Sequence, residues 1–374
     1  MFVNEFWTAR QRAAHSLHEV SYRACFKPQL PRFFIERCTR PGEVVYDPFM
    51  GRGTTVLEAA LLGRVPCGCD VNPLCAMLIS PRLVPPTVAE VATRLAQVDF
   101  AAATGQPEDL LVFYHPRTLQ QLGALRRYFA GRQESGQFDA LDGWIRMVAL
   151  NRLTGHSAGF FSVYTLPPNQ AVSVKSQRRI NERRGQTPCL RDVPRLILRK
   201  TASLLREWDG TQAAALAQAA ARSVLLARSC EQTPEIADGS VALVVTSPPF
   251  LDVVNYAVDN WLRCWFVGVD AERVPLAIHR ELEDWQTTMR RVFRELHRVL
   301  RPGGYVAFEV GEVAANTVRL EEAVLPCGLA AGFEAVLVLI NDQKFTKTAN
   351  CWGVSNNDKG TNSNRVVVFR KPGR

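Results

Sequence analysis

Asp47-Pro48-Phe49-Met50-Gly51-Arg52-Gly53-Thr54-Thr55 is the stretch on which the fold turns. It follows the apolar burst Val44-Val45-Tyr46 and opens a run to Leu62 that reads as a helix, closed by Gly63. Val65 to Cys69 then reads as a second strand, ending at Asp70. Strand, glycine-rich loop, helix, strand is the opening of a parallel α/β sheet. Pro81, Pro85 and Pro86 break the pattern. From about Thr87 to Arg222 the chain reads as helices and loops, with helices at Asp139–Arg152, Arg195–Trp208 and Gln212–Ala221. Thr165–Pro188 there reads as polar and irregular. Strand patterns return at Val224–Leu226, Val241–Val245, Tyr305–Glu309, Ala335–Ile340 and Arg365–Arg370, with helices near Val254–Phe266 and Trp285–Leu300. Residues 1–40 read as mostly helical. The expected organisation is one sheet domain in two parts, 1–86 and 223–374, interrupted by a mainly helical module at 87–222.

The spacing of the loop carries chemistry. Gly51 and Gly53 let the backbone approach a ligand closely and accept positive φ. The helix opened by Thr54 presents free N–H groups to a carboxylate or phosphate. Asp47, at the carboxyl end of its strand, suits a cationic amine. An amino-acid ligand has both groups, so the loop suits the methionine end of S-adenosylmethionine. Asp70, ending the next strand, is placed for ribose hydroxyls. A bare Gly-x-Gly also fits other nucleotides or a plain tight turn; the complete string after a strand is more specific.

A second segment, Thr246-Ser247-Pro248-Pro249-Phe250, follows the buried strand Val241–Val245. Two prolines remove two N–H donors and stiffen the backbone. What remains is acceptors, the Ser247 hydroxyl and nearby carbonyls, which match the hydrogens of an exocyclic amine. Phe250 supplies a face for a flipped base. Alone, Pro-Pro after a strand is an ordinary rigid turn; beside the glycine loop it reads as a site.

Composition sets outer bounds. The 374 residues are 47% hydrophobic and 22% charged, enough for a sizeable core and unlike a disordered chain. A net charge of +9 and a pI of about 9.2 favour a polyanionic partner without separating DNA, RNA and acidic lipid. Lys175, Arg178, Arg179, Arg183, Arg184, Arg191, Arg195, Arg199 and Lys200 concentrate that charge against Glu182 and Asp192 alone. Such a run tracks phosphates or forms a solvated helix face, with Asn169, Gln170, Ser173 and Gln177 nearby to read base edges. The ten cysteines form no Cys-x-x-Cys pair, and no metal site is expected. Cys67 and Cys69 share a strand face and read as small buried hydrophobes. His156 reads as a structural or surface histidine in preference to a base. Tyr256, Asp259 and Trp261 stand where they would line a base pocket or pack the core. The first residues do not read as a signal peptide, no apolar run is long enough to span a bilayer, and a reducing cytoplasm fits.

At this point the chain resembles the amino-methylating DNA methyltransferases, which modify exocyclic amines of cytosine or adenine. Asp47–Thr55 resembles their cofactor motif and Thr246–Phe250 their catalytic motif. Phe26-Lys27-Pro28 to Pro31 is similar to their upstream cofactor-contacting segment. Leu296–Glu309, with Arg301-Pro302-Gly303-Gly304, is similar to a late sheet motif of methyltransferases. Asn350–Arg370 is similar to C-terminal segments of bacterial members. The order of motifs resembles the alpha-type arrangement. The resemblance implies a Rossmann-like α/β methyltransferase fold, a mostly parallel sheet flanked by helices, with an inserted, mainly helical recognition module. It implies S-adenosylmethionine held by Phe26, Asp47, Pro48, Phe49, Gly51, Gly53, Thr54 and Asp70, and catalysis by Ser247, Pro248, Pro249 and Phe250. It implies double-stranded DNA as substrate and leaves a cognate restriction endonuclease open as partner; the local charge and the place in the insert make Lys175, Arg178, Arg179, Arg183 and Arg184 the expected grip on that DNA. Ser at 247 tilts the expected product to N4-methylcytosine, since adenine enzymes usually carry Asp or Asn there. Methylation of adenine in DNA, or of a base amine in RNA, stands as the alternative. A non-catalytic nucleic-acid-binding module with a relict cofactor site sits poorly with the intact glycines and prolines. One departure stands: where the family often has an acidic residue for the cofactor adenine, this chain reads Arg228-Ser229-Cys230-Glu231, leaving Ser229, Cys230 and Glu231 all open.

Overall fold

The computed structural model describes residues 1–4, 6, 14–22, 25–102, 105–165, 171–249, 256–274, 281–310, 312–313, 318–342 and 363–373. Its strands are β1 (Phe2–Asn4), β2 (Val44–Asp47), β3 (Val65–Asp70), β4 (Val224–Ala227), β5 (Val241–Thr246), β6 (Leu300–Val310), β7 (Glu312–Val313), β8 (Val318–Arg319), β9 (Glu334–Asp342) and β10 (Ser363–Arg370). The α-helices are α1 (Gln29–Cys38), α2 (Thr54–Leu61), α3 (Pro73–Ile79), α4 (Val88–Leu95), α5 (Pro116–Glu134) and α6 (Ala140–Leu150). They continue with α7 (Val174–Arg184), α8 (Val193–Leu204), α9 (Gly210–Arg222), α10 (Tyr256–Val267), α11 (Leu282–Val299) and α12 (Leu320–Ala330). No helix among the described residues is long and apolar enough to cross a membrane.

One sheet in the order β1-β9-β10-β6-β5-β2-β3-β4 organises the molecule. From β6 to β4 every pairing is parallel, and β10 runs antiparallel between β6 and β9. The chain lays β3 and β4 on one side of β2 and then returns to lay β5 on the other. Strand order therefore reverses between β2 and β5, and in open α/β sheets the ligand crevice lies there, outside the carboxyl ends.

Sequence explains why the central strands are so apolar. β5 (Val-Ala-Leu-Val-Val-Thr) is buried along its whole length because helices cover both faces. Alternation assigns the faces. Val45, Leu243 and Val245 join Leu30, Phe34 and Ala59 on the α1–α2 side. Tyr46 and Val244 join Trp285, Phe293 and Phe308 on the α11–α12 side, and Val241 joins them because the register shifts before Leu243. Cys67 and Cys69 face the latter side together, their thiols pushed up to about 12 by burial. They pack as small hydrophobes.

Two expectations need correction. The described part of residues 1–40 is not mostly helical: Phe2–Asn4 pairs with β9, and the α-helix among the described residues there is Gln29–Cys38. Thr165–Pro188 is not irregular throughout, since it contains α7. Ser173 caps α7 by accepting from Ser176 N–H, and Gly185 ends it at φ 55°. Both signals were legible. What hid the helix was its polar surface, with little apolar stripe to show a period.

The middle helices do not stand apart. One hydrophobic cluster runs from Met50, Val56 and Leu78 of the glycine-loop unit into Leu122, Trp144, Ile197 and Leu216. Helix α9 lies against α2 and β3.

Candidate active site

β2 delivers Asp47 to its carboxyl end, and Pro48 follows with no N–H to continue a ladder. The loop then bends back over the sheet. Met50 N–H donates to Cys69 O at 3.0 Å, tying the loop to β3. Gly51 and Gly53 take φ of 49° and 77°. At Gly53 a Cβ would sit 2.2 Å from Ile79 Cγ1, so both conformation and space demand glycine. Gly53 is also the N-cap of α2 and supplies no side-chain cap, leaving the helix's first N–H groups for other acceptors.

Two carboxylates mark the carboxyl ends of adjacent strands. Asp70 accepts Gly51 N–H at 3.0 Å and Asn72 N–H at 2.9 Å, and burial raises its pKa. Asp47, 1% exposed, accepts the Thr246 hydroxyl at 2.6 Å and Phe49 N–H at 3.1 Å. Burial raises its pKa to about 7, against the pull of those hydrogen bonds. A second brace is Thr55, whose hydroxyl donates to Val245 O at 3.0 Å. The glycine loop and the Ser-Pro-Pro segment, far apart in sequence, are thereby joined at the β2–β5 switch point.

Ser247 and Pro249 are half-buried and Pro248 is buried. The Ser247 hydroxyl makes no hydrogen bond among the described residues. Phe250 lies outside the described residues, as do Asn169 and Gln170. Of the expected cofactor residues, Phe26, Phe49, Gly51 and Asp70 are half-buried, whereas Asp47, Pro48, Gly53 and Thr54 are buried. Thr54 is engaged by Arg52, whose Nε donates to its hydroxyl at 3.2 Å.

Several working residues had no sequence signal. Arg52 donates from Nη1 to Val20 O at 3.1 Å and from Nη2 to Phe26 O at 3.3 Å, so the loop carries the segment that presents Phe26. Arg82, fully buried, donates to Leu78 O, to Leu17 O and to the carbonyl of Arg52 itself. Desolvation, with Arg52 nearby, lowers its pKa to about 9. Tyr22 lies across Gly51 and receives Asn72 Nδ2 at 3.0 Å. Trp285 donates to Pro249 O at 2.9 Å. Only tertiary proximity reveals these pairings.

At the end of β4, Cys230 is buried and Ser229 is exposed, its hydroxyl accepting Glu231 N–H at 3.3 Å. Glu231 pairs with Arg291 at 2.7 Å.

The basic run behaves in two ways. Lys175, Arg178, Arg179, Arg183 and Arg184 are all exposed on α7. Arg178 pairs weakly with Asp109 at 3.2 Å, and Arg184 stacks over Tyr164 at 3.8 Å. Gln177, by contrast, is fully buried and donates to Tyr164 O and Asn181 Oδ1. With Ser173 committed to the cap, neither presents itself as a base reader. The entry to α7 is pinned to α10, because Ala171 N–H donates to Asp259 O at 3.0 Å and Trp261 Nε1 to Val172 O at 3.3 Å. Trp261 packs 5.9 Å from Phe113 and serves this junction. His156 is exposed, its ring 6.0 Å from that of Phe160. Cys189, just beyond α7, is exposed, whereas the other described cysteines are buried or half-buried.

Comparison with known proteins bears on the first part of the site. Residues 2–79 match the N6/N4 family model described as DNA methylase. The type II methyltransferase M.MjaII of Methanocaldococcus jannaschii is 32% identical over 74 residues, 20% of this chain and 14% of that one. M.BsoBI of Geobacillus stearothermophilus is 22% identical over 296 residues, 69% of this chain and 54% of that one. The chain thus spans about half or less of the length of the curated relatives it matches. Among solved structures, TrmN from Thermus thermophilus gives a TM-score of 0.36 at 14% identity, covering 95% of this chain and 51% of that one.

Proposed function

We propose that this chain, whose residues 2–79 group it with the N4/N6 amino type of DNA methylase, methylates the exocyclic amine of cytosine in duplex DNA. S-adenosylmethionine is the proposed methyl donor. The supporting observation is the Thr246–Asp47 hydrogen bond of 2.6 Å, which sets the Ser-Pro-Pro segment beside the glycine loop.

The donor set suits that cofactor. The uncapped start of α2 offers N–H groups to a carboxylate, Asp47 offers a carboxylate to an amine, and Asp70 offers oxygens to ribose hydroxyls. When bound, the cofactor supplies an electrophilic methyl group. The chain's own residues orient the nucleophile. Ser247 accepts one amine hydrogen. The second hydrogen goes to a carbonyl of the Ser-Pro-Pro segment, whose Pro249 O also accepts from Trp285. Accepting both localises the nitrogen lone pair toward the methyl carbon. Placement and electrostatics then supply most of the acceleration. Phe250 is the proposed stacking face, and exposed Lys175, Arg178, Arg179, Arg183 and Arg184 the proposed phosphate grip.

Ser at 247 favours cytosine over adenine; adenine in DNA, or a base amine in RNA, is the second reading. Transfer of tritiated methyl to DNA and to RNA, with mass spectrometry of the nucleosides, decides among them. N4-methylcytosine is expected, and absence of label from every nucleic acid would end the proposal.

A further inference from the structure

Residues 247–249 have few means of attachment. Pro248 and Pro249 lack N–H groups, so beyond the Ser247 N–H the segment leaving β5 offers only its carbonyls and the Ser247 hydroxyl for hydrogen bonds. That hydroxyl makes no hydrogen bond among the described residues. Apart from the ladder of β5, the hydrogen bond seen on these three residues comes from far along the chain. The indole N–H of Trp285 donates to Pro249 O at 2.9 Å. Trp285 stands in the first turn of α11, is fully buried, and packs in the cluster that holds Phe293 and Phe308. Its neighbour Gln286 donates to Ala323 O at 2.9 Å, pinning the same turn to α12.

We infer that Trp285 is a positioning residue for the Ser-Pro-Pro segment, acting through its indole N–H. The inference rests on the methyl-transfer reading of that segment. Successive carbonyls of an extended proline segment point in different directions. Turning Pro249 O inward therefore fixes which way the Ser247 hydroxyl and the earlier carbonyls face. Without the indole donor, a half-buried carbonyl loses its partner and the segment gains freedom to rotate. Because the donor sits on a packed helix, the acceptor geometry inherits the rigidity of the core.

The test compares Trp285→Phe, which keeps an aromatic ring and deletes the donor, with Phe293→Leu, a control truncation elsewhere in the same cluster. Single-turnover transfer of tritiated methyl to unmethylated genomic DNA and the affinity for S-adenosylmethionine are measured for each, at equal folded fraction. Trp285→Phe is expected to lose turnover on the order of 10²-fold, with cofactor affinity within about twofold. Phe293→Leu should keep turnover within about threefold, whatever its melting temperature. Equal turnover losses in the two variants would overturn the positioning role. Should Trp285→Phe not fold, benzothienylalanine at position 285 keeps the ring shape without the N–H, and unchanged turnover there overturns the role equally. If wild-type protein itself transfers no methyl group to any nucleic acid, the methyl-transfer reading fails instead.

Discussion

Asp47 is the residue at which the chemistry of both loops meets. Its carboxyl titrates near 7 because burial outweighs the Thr246 and Phe49 hydrogen bonds. In the unfolded chain the same group titrates near 3.8. The folded state therefore holds this proton more tightly, and the group's contribution to stability is fullest below that unfolded value. It declines as pH rises to about 7. Asp47→Asn should flatten that decline in urea midpoints measured across the range. A cationic amine favours the ionised carboxylate, so affinity for S-adenosylmethionine should strengthen between about pH 6 and about pH 7.5, where an amino-acid amine remains largely protonated. Isothermal titration checks this, and a flat profile would separate Asp47 from the amine. Ser247→Ala should lower turnover on the order of 10²-fold while leaving cofactor affinity unchanged. Gly53→Ala meets both the φ of 77° and the Ile79 side chain, and should cost about 2–4 kcal/mol by chemical denaturation.

Among the elements, those with an apolar period were readable and those without one were not. β2, α2 and β3 follow from their apolar runs and the glycines between them, and the Thr246-Ser247-Pro248-Pro249 segment does leave a fully buried strand. α7 escaped because it is polar nearly all round, and β1 because three exposed residues hold no pattern. Within the site, Asp47 and Asp70 were legible from their places at strand ends. Thr246, Thr55, Arg52 and Trp285 were not, because each acts on a partner distant in sequence. The polarity that hid α7 is also what suits it to phosphate. Replacing Arg179 or Arg183 by Ala should weaken DNA binding without altering cofactor affinity. Each should reduce the salt slope of binding by about 1, measured by fluorescence anisotropy over a potassium chloride series. Ser173→Ala should cost about 1 kcal/mol through loss of the cap.

For the molecule as a whole, the shared hydrophobic cluster matters more than any division along the chain. Leu122, Trp144 and Ile197 of the middle helices pack into the same core as Met50 and Val56. Calorimetry should then show one transition in which the middle helices and the sheet melt together; two separated transitions would mark the inserted module as an independent folding unit. Arg82 fastens that core to the glycine loop through three carbonyls. Arg82→Met should cost roughly 3 kcal/mol by leaving those acceptors unmatched, with cofactor affinity falling alongside stability. Cys189 has a practical use that follows from its exposure just beyond α7. Among the described cysteines it is the one a maleimide reaches most readily. A dye attached there would stand just beyond the arginine-rich helix, and its emission would register the arrival of a polyanion.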